Sequence, residues 1–237
     1  VSGLRYDRFR YTESMSFPAF EGTLRFEGFS PKVGTRYAML PELWDVFASY
    51  SRPFKAPSVD DFSAQVPQFA GNVDLRPQQA DTYEVGTRVT PGPVEAGITG
   101  FYLKTQDEIL FNRVDFQNQN YDTRRLGAEM SVTASLPRAR GYTSYTVVDA
   151  AFHKGAFDGN RIPGTPAQQL SAGVGVSPLP RWWVDLDWHL VNDFYRVNDL
   201  NNALPKADNY GVLNLTLAYE RSWGRAFLTF YNVTNEE

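Results

Sequence analysis

Residues Trp44–Val89 read WDVFASYSRPFKAPSVDDFSAQVPQFAGNVDLRPQQADTYEVGTRV. The stretch opens and closes on strand patterns, with a long excursion between them. In the first strand Trp44, Val46, Ala48 and Tyr50 share one face, and Asp45, Ser49 and Ser51 share the other. In the second, Tyr83, Val85 and Val89 oppose Glu84, Gly86 and Arg88. Alternation at period two gives each strand one apolar and one polar face. The polar faces cannot lie in a dry core without many partners, because an unpaired buried charge costs several kcal/mol or more. They must face bulk water or a wet lumen.

The same pattern recurs downstream. Trp182, Val184, Leu186, Trp188 and Leu190 oppose Asp185, Asp187 and His189, and Leu213, Leu215, Leu217 and Tyr219 oppose Asn214, Thr216 and Glu220. Ala128, Met130, Val132, Ala134 and Leu136 oppose Glu129, Ser131, Thr133 and Ser135. Leu170, Ala172, Val174 and Val176 oppose Ser171, two glycines and Ser177. Turn signals divide the chain into about eleven expected strands, near 3–12, 32–40, 43–53, 79–90, 94–105, 121–136, 141–153, 167–178, 181–195, 209–220 and 224–232. Strands 3–12 and 141–153 read ambiguously, the latter with Tyr145 and Val147 on the same side as Asp149.

Connection lengths carry further information. Short connections (39–42, 90–93, 137–140, 177–180, 221–224) are expected to alternate with long ones (12–31, 53–78, 106–120, 154–166, 196–209). A transmembrane barrel has this asymmetry, with tight turns on one rim and long extracellular loops on the other. A soluble sandwich has no reason for it. The expected fold is therefore all-β, part of a large antiparallel transmembrane β-barrel. In lipid every backbone N–H and C=O must pair internally, which a closed barrel achieves and an open sheet does not.

Composition narrows the function classes. There is no cysteine, which excludes disulfides and thiolate metal sites. A net charge of −4 with both signs interspersed gives no footprint for nucleic acid. Aromatic residues make up 15%, many near strand ends, as interface girdles require. No segment approaches the ~18 apolar residues of a membrane helix, but a barrel strand needs only ~9–11 residues. The chain opens at VSGLRYDRFRYT, already strand-like, and closes at NEE without a final aromatic strand. The expectation is a fragment.

Several segments resemble a known family. FKAPS at Phe54–Ser58, then NVDLRPQQADTYEVG at Asn72–Gly86, is similar to the barrel of TonB-dependent outer-membrane receptors, with Gln78 in place of a usual glutamate. TRRLGAE at Thr123–Glu129 and FYNVTNEE at Phe230–Glu237 extend the match, in order, over most of the chain. The resemblance implies a plugged barrel of about 22 strands. Residues 1–237 would be part of that domain, with the plug, the first half of the barrel and the last strand absent. It also implies a cell outer membrane of a Gram-negative-type bacterium, with lipid and lipopolysaccharide around the barrel. The implied activity is import of a scarce metal-chelate ligand, energised by the TonB–ExbB–ExbD complex acting through the missing plug. The expected cargo is a ferric siderophore. The alternatives are a passive porin or structural barrel, or a receptor for cobalamin or another non-iron substrate. A soluble propeller or lectin is a third reading, and the Trp182–Leu190 stripe argues against it.

No cofactor and no catalytic residue is expected. Asp185 and Asp187 share a strand face, but paired carboxylates on a lumen wall are better read as hydrated or plug-facing groups than as an acid–base pair. His153 and His189 are the only histidines. Haem receptors of the resembled family carry a ligand histidine between the two segments quoted first, and none lies between Phe54 and Leu75 here. Two Asn-x-Thr sequons, at Asn214 and Asn232, read as chance. The candidate ligand-binding residues are Phe62, Phe69, Phe111, Arg113, Phe116, Tyr121, Arg124, Arg125, Phe157, Arg161, Tyr195 and Arg196. Rings supply contact area, and guanidinium groups bind carboxylate or catecholate oxygens bidentately, which suits a bulky anionic chelate. The same residues also fit a girdle, with the arginines paired to loop acids or lipopolysaccharide.

Overall fold

The computed structural model describes residues 1–16, 19–62 and 71–236. They form one antiparallel meander in which strands adjacent in sequence are adjacent in space. Its eleven long strands are β1 (Ser2–Ser16), β2 (Ala19–Leu40), β3 (Trp44–Ser51), β5 (Gln78–Val89), β6 (Val94–Asn112), β7 (Gln117–Leu136), β8 (Ala139–Phe152), β9 (Gln168–Val176), β10 (Trp182–Val191), β11 (Tyr210–Arg221) and β12 (Gly224–Phe230). A two-residue strand, β4 (Phe54–Lys55), pairs with the start of β5, and a single helical turn, α1 (Val59–Phe62), follows it.

The register places the alternating sets on two continuous faces. On the apolar face Trp44, Val46 and Ala48 lie opposite Val89, Thr87 and Val85, which continue into Ala96, Ile98 and Gly100, then Val132, Met130 and Ala128. Leu186 lies between Val174 and Leu215, and Trp188 between Ala172 and Leu213. These side chains are open to the surroundings: Tyr83 is 50% exposed, Val85 64% and Val174 52%. A continuous apolar surface of this extent is rare in water. Tyrosines mark one border, with Tyr50 on Tyr83 at 5.0 Å and Tyr83 on Tyr102 at 6.4 Å. Trp44, Trp182 and Tyr219 mark the other, where Trp44 Nε1 donates to Thr87 Oγ1 at 2.7 Å and Trp182 lies 5.0 Å from Tyr219.

On the polar face charges are tied together across strands. Asp45 accepts from Arg36 at 2.6 Å and Arg88 at 3.4 Å, and Asp185 receives Arg140 bidentately at 2.8 Å with Arg225 at 3.9 Å. Tyr142 donates to Asp187 at 2.8 Å. Four polar-face glycines lie beneath aromatic rings. A Cβ on Gly28, Gly86, Gly127 or Gly173 would come within 2.2–2.5 Å of Phe54, Phe47, Phe101 or Tyr142 respectively. Only glycine lets the rings lie so close to the backbone.

Two expected connections are corrected. The 12–31 stretch is largely strand, since β1 and β2 pair from Ser2 with Val33 up to Ser16 with Ala19. Likewise 106–120 is the end of β6, a turn at 113–116 and the start of β7, with a bulge between Thr105 and Glu108. Both hairpins run past the tyrosine border, where strand pairing continues but the apolar alternation does not. The remaining long connections, 52–77, 153–167 and 192–209, leave from this same rim. The opposite rim carries only tight turns, such as 90–93, where Gly92 at φ +63° takes a conformation that a side chain would strain.

Candidate functional site

The rim with the long connections is where ordinary buried cores occur. On the polar side of β1 and β2, Phe54 stacks on Phe9 at 6.3 Å and covers Gly28, and Phe62 meets Tyr11 edge-on at 5.6 Å. Phe54, Phe62 and Leu75 are buried, fixing both ends of the 52–77 excursion. Asparagines pin it laterally. Asn72 Nδ2 donates to Asn118 O, Asn118 Nδ2 to Asp61 O and Asn120 Nδ2 to Arg76 O, while Arg76 pairs with Asp107 at 2.6 Å.

A second small core forms over β8, where Ala150, Phe152, Ile162 and Leu200 are buried. It joins the 153–167 and 192–209 connections. Asn160 Nδ2 donates to Leu200 O at 3.0 Å, Asn202 exchanges hydrogen bonds with the Arg161 backbone, and Gly164 N donates to Tyr195 O at 2.8 Å. Asp199 closes its own turn by accepting from the backbone N–H groups of Ala203 and Leu204. Next to this core stands an aromatic triad, with Tyr121, Phe152 and Phe157 mutually 5.6 Å apart. Tyr121 shares the polar face with Thr123 and Arg125, so the triad borders the mouth. Its hydroxyl donates to Gln119 Oε1 and accepts from Asn112. Burial pushes the Tyr121 phenol above its ordinary value.

The expected site residues fall into separate settings. Tyr121 and Phe157 belong to the mouth triad. Arg113 and Phe116 sit exposed at the β6–β7 tip, and Phe111 is on β6 rather than in a loop. Tyr195 lies under the Lys206 ammonium at 5.1 Å, and Arg196 Nε donates to Pro205 O at 3.1 Å. Phe62 is fully buried, so it anchors the excursion rather than offering a surface. Phe69 lies outside the described residues.

The arginines separate more sharply. Arg125 faces the polar side and makes a bidentate pair with Glu108 at 2.8 and 2.9 Å, so its fork is already occupied. Burial would raise the Glu108 carboxyl, but hydrogen bonds from Arg125 and Thr123 outweigh it and hold the group below its ordinary range. Arg124, one residue earlier, points to the opposite face, where it and Arg161 share Asp149. The residues that sequence reasoning passed over are Glu108 and Asp149, which decide what these arginines can do. The bulge at Thr105–Glu108 hides the first, because it shifts parity within β6.

The polar face below the mouth carries a recess of about 390 Å³ lined by Arg140, Tyr142, Asp185, Asp187, Thr216 and Arg225. His189 faces the same side, with Nδ1 3.0 Å from Ser171 Oγ. Among the described residues no group of three or more His, Cys, Asp or Glu side chains could hold a metal ion.

A family model described as "TonB dependent receptor-like, beta-barrel" matches residues 1–235. A probable TonB-dependent receptor, BfrD, of Bordetella pertussis is 24% identical over 215 residues, covering 85% of this chain and 28% of that protein. Among solved structures, the copper transporter OprC superposes with a TM-score of 0.78 at 20% identity, over 98% of this chain and 38% of that one. The ferric yersiniabactin uptake receptor FyuA of Yersinia pestis gives 0.74 at 19%, over 99% and 37%. The chain thus spans well under half the length of these relatives.

Proposed function

Because the chain belongs to the TonB-dependent receptor β-barrel family, we propose that it supplies part of the wall and mouth of an outer-membrane importer. The whole receptor takes up a scarce chelate, with a ferric siderophore as the cargo. The apolar face meets lipid, the polar face lines the bore, and the rim with the long connections faces outward from the cell. A plug carried elsewhere in the full protein closes the bore, and the TonB–ExbB–ExbD complex does work on that plug. A plugged pore gives no passive leak, so transport needs energy from outside the outer membrane.

The observation that carries this reading beyond a passive barrel is the built mouth. Two small cores and a lattice of asparagine hydrogen bonds hold its connections in place, and an aromatic triad stands beside the bore. A diffusion pore has no need of a fixed, ring-bearing vestibule, whereas a bulky chelate gains contact area from rings already in position. Tyr121, Phe157, Arg113, Phe116, Tyr195 and Arg196 are the ligand-facing residues in this proposal. The cargo assignment has support from FyuA, whose ligand is ferric yersiniabactin; OprC, similar to the same extent, is a copper transporter.

The test is growth and uptake of radiolabelled iron by cells carrying the full-length receptor under iron limitation, with a panel of ferric siderophores. Uptake of one of them that requires both the receptor and TonB is the expected result. Steady conductance of the purified receptor in planar bilayers, with no TonB-dependent uptake, would overturn the proposal in favour of a porin.

A further inference from the structure

The charge of the mouth runs against a polyanionic guest. Connections 52–77, 106–120, 153–167 and 192–209 together carry eight Lys and Arg against ten Asp and Glu. Residues 12–23, at the tip of β1 and β2, add two acids and no cation. A vestibule for anions needs the opposite balance, or cations whose donors are free to turn toward the ligand.

Those donors are already engaged. Arg76 is held by Asp107 at 2.6 Å and Lys206 by Asp193 at 2.9 Å, while Lys154 meets Asp122 at 3.3 Å. Glu108 takes both prongs of Arg125, and Lys55 is near enough to act on the same carboxylate. Arg196 directs its Nε to the Pro205 carbonyl. Arg52 and Arg161 turn to Asp81 and Asp149 on the apolar side of the sheet. That leaves Arg113 at the exposed β6–β7 tip, in a hairpin that also brings Asp107, Glu108 and Asp115.

One acid stands where an anion would have to sit. Asp115 accepts from Asn112 Nδ2 and Gln119 Nε2, each at 2.9 Å, and the same two side chains hold the Tyr121 hydroxyl. Among the described residues no ion pair reaches Asp115. A ligand stacked on Tyr121 and Phe157 therefore lies beside an uncompensated carboxylate, and such repulsion discriminates between guests as effectively as attraction does. What the mouth does offer is rings and amides. These suit a ligand rich in carbonyl and hydroxyl oxygens but without net charge.

We propose that the chelate accepted here is uncharged or nearly so, of the ferric trihydroxamate class, and that polyanionic catecholate and polycarboxylate chelates are turned away. Singly charged hydroxamates filling the coordination sphere of iron(III) cancel its charge, whereas doubly charged catecholates overshoot and leave an anion. The inference narrows the importer reading above and rests on it.

The test offers radiolabelled iron to cells carrying the full-length receptor, with and without TonB. The probes are ferrichrome and coprogen (uncharged trihydroxamates), ferric enterobactin (a tris-catecholate) and ferric citrate. TonB-dependent uptake of a trihydroxamate, roughly tenfold or more faster than either anion at equal concentration, is the expected result. Its binding to the purified receptor should change less than about twofold between about 0.05 M and about 0.5 M salt, because a neutral ligand has no charge to screen. Phe157→Ala should weaken that binding roughly tenfold, with Phe157→Leu as the second variant if the first alters heat-modifiable migration. Asp115→Asn should admit more ferric enterobactin. TonB-dependent uptake of either anion at or above the trihydroxamate rate overturns the proposal and leaves the importer reading intact. So does binding that weakens steeply with salt, or exclusion of the anion unchanged in Asp115→Asn. Uptake of no ferric chelate, with steady conductance in bilayers, overturns both.

Discussion

The wall and the mouth of this molecule are built by different rules. In the wall, Val85 is 64% exposed and Leu126 53%, and polar-face charges such as Asp45 and Asp185 meet their partners across strands. At the mouth, Phe62, Phe152, Ile162 and Leu200 are as buried as in any water-soluble domain. A strand sheet that meets lipid on one side needs no core of its own, because lipid does the burying. A loop above the membrane stands in water and must make its own core or move. The fixed mouth shows that this chain took the first course.

Four measurements would break or sharpen that contrast. The largest effect is expected at the mouth: Phe152→Ala removes a fully buried ring, for which loss of about 3–5 kcal/mol is typical. Limited proteolysis of the full-length receptor should show new cleavage within 153–167 while the barrel keeps its heat-modifiable migration. Global unfolding instead would mean that mouth and wall form one cooperative unit. Next, Val85→Arg should cost about 2–4 kcal/mol in a bilayer, the penalty for a cation on the lipid face near the midplane. Glu84→Arg, one residue away on the polar face, should cost far less. Urea titrations of the receptor refolded into vesicles compare the two, and equal costs would sink the assignment of faces.

A smaller loss is expected from Asp185→Asn, which leaves the Arg140 fork without its carboxylate. Because Arg140 is 39% exposed, water recovers much of the difference, and a fall of about 1 kcal/mol in the same titration is expected. The smallest effect concerns acid. The Glu108 carboxyl is held below its ordinary value in the folded protein, so its contribution is fully present above the unfolded value of about 4.3 and is lost as pH falls through the lowered folded value. Protease resistance of the β6–β7 hairpin should therefore weaken below about pH 4 in the wild type. Glu108→Gln should be weaker at neutral pH and show no such further step.

Much of the wall was legible in the sequence because period-two alternation is enforced wherever lipid meets a strand. The pairings of Trp44–Tyr50, Tyr83–Val89 and Trp182–Leu190 follow that rule at most positions, the departures being Phe47 and Trp183 on the polar face and Thr87 on the apolar one. Legibility fails at the tyrosine border. In β8 the pattern Tyr145, Val147, Asp149 looked inconsistent, yet all three share the apolar face, with Asp149 at the tyrosine border, opposite Leu126 and beside two arginines. In β1, Leu4 and Tyr6 face outward, while Phe9 and Tyr11 face the mouth core, so apolar residues occupy both faces of one strand. Above that border, pairing in β1–β2 and β6–β7 runs on with mixed side chains, such as Leu24, Arg25 and Phe26 or Glu108, Ile109 and Leu110, which reads as loop. Among the expected site residues, Arg124 and Arg125 are neighbours in sequence but project to opposite sides, and no local signal tells which acids will neutralise them. Such pairings come from strands 15 or more residues apart, as Glu108 and Thr123 show.

The rings resting on Gly28, Gly86, Gly127 and Gly173 have a consequence for clearance. Laid flat against bare backbone, each aromatic side chain adds thickness to the wall instead of standing across the channel. The height of each ring above the strand is then set by a peptide plane that hydrogen bonds hold in place. A methyl group added at Gly28 or Gly173 would displace the ring above it, whereas at Gly86 or Gly127 it would also meet the Ile98 or Val147 carbonyl at 2.7 or 2.4 Å and so strain the strand ladder itself.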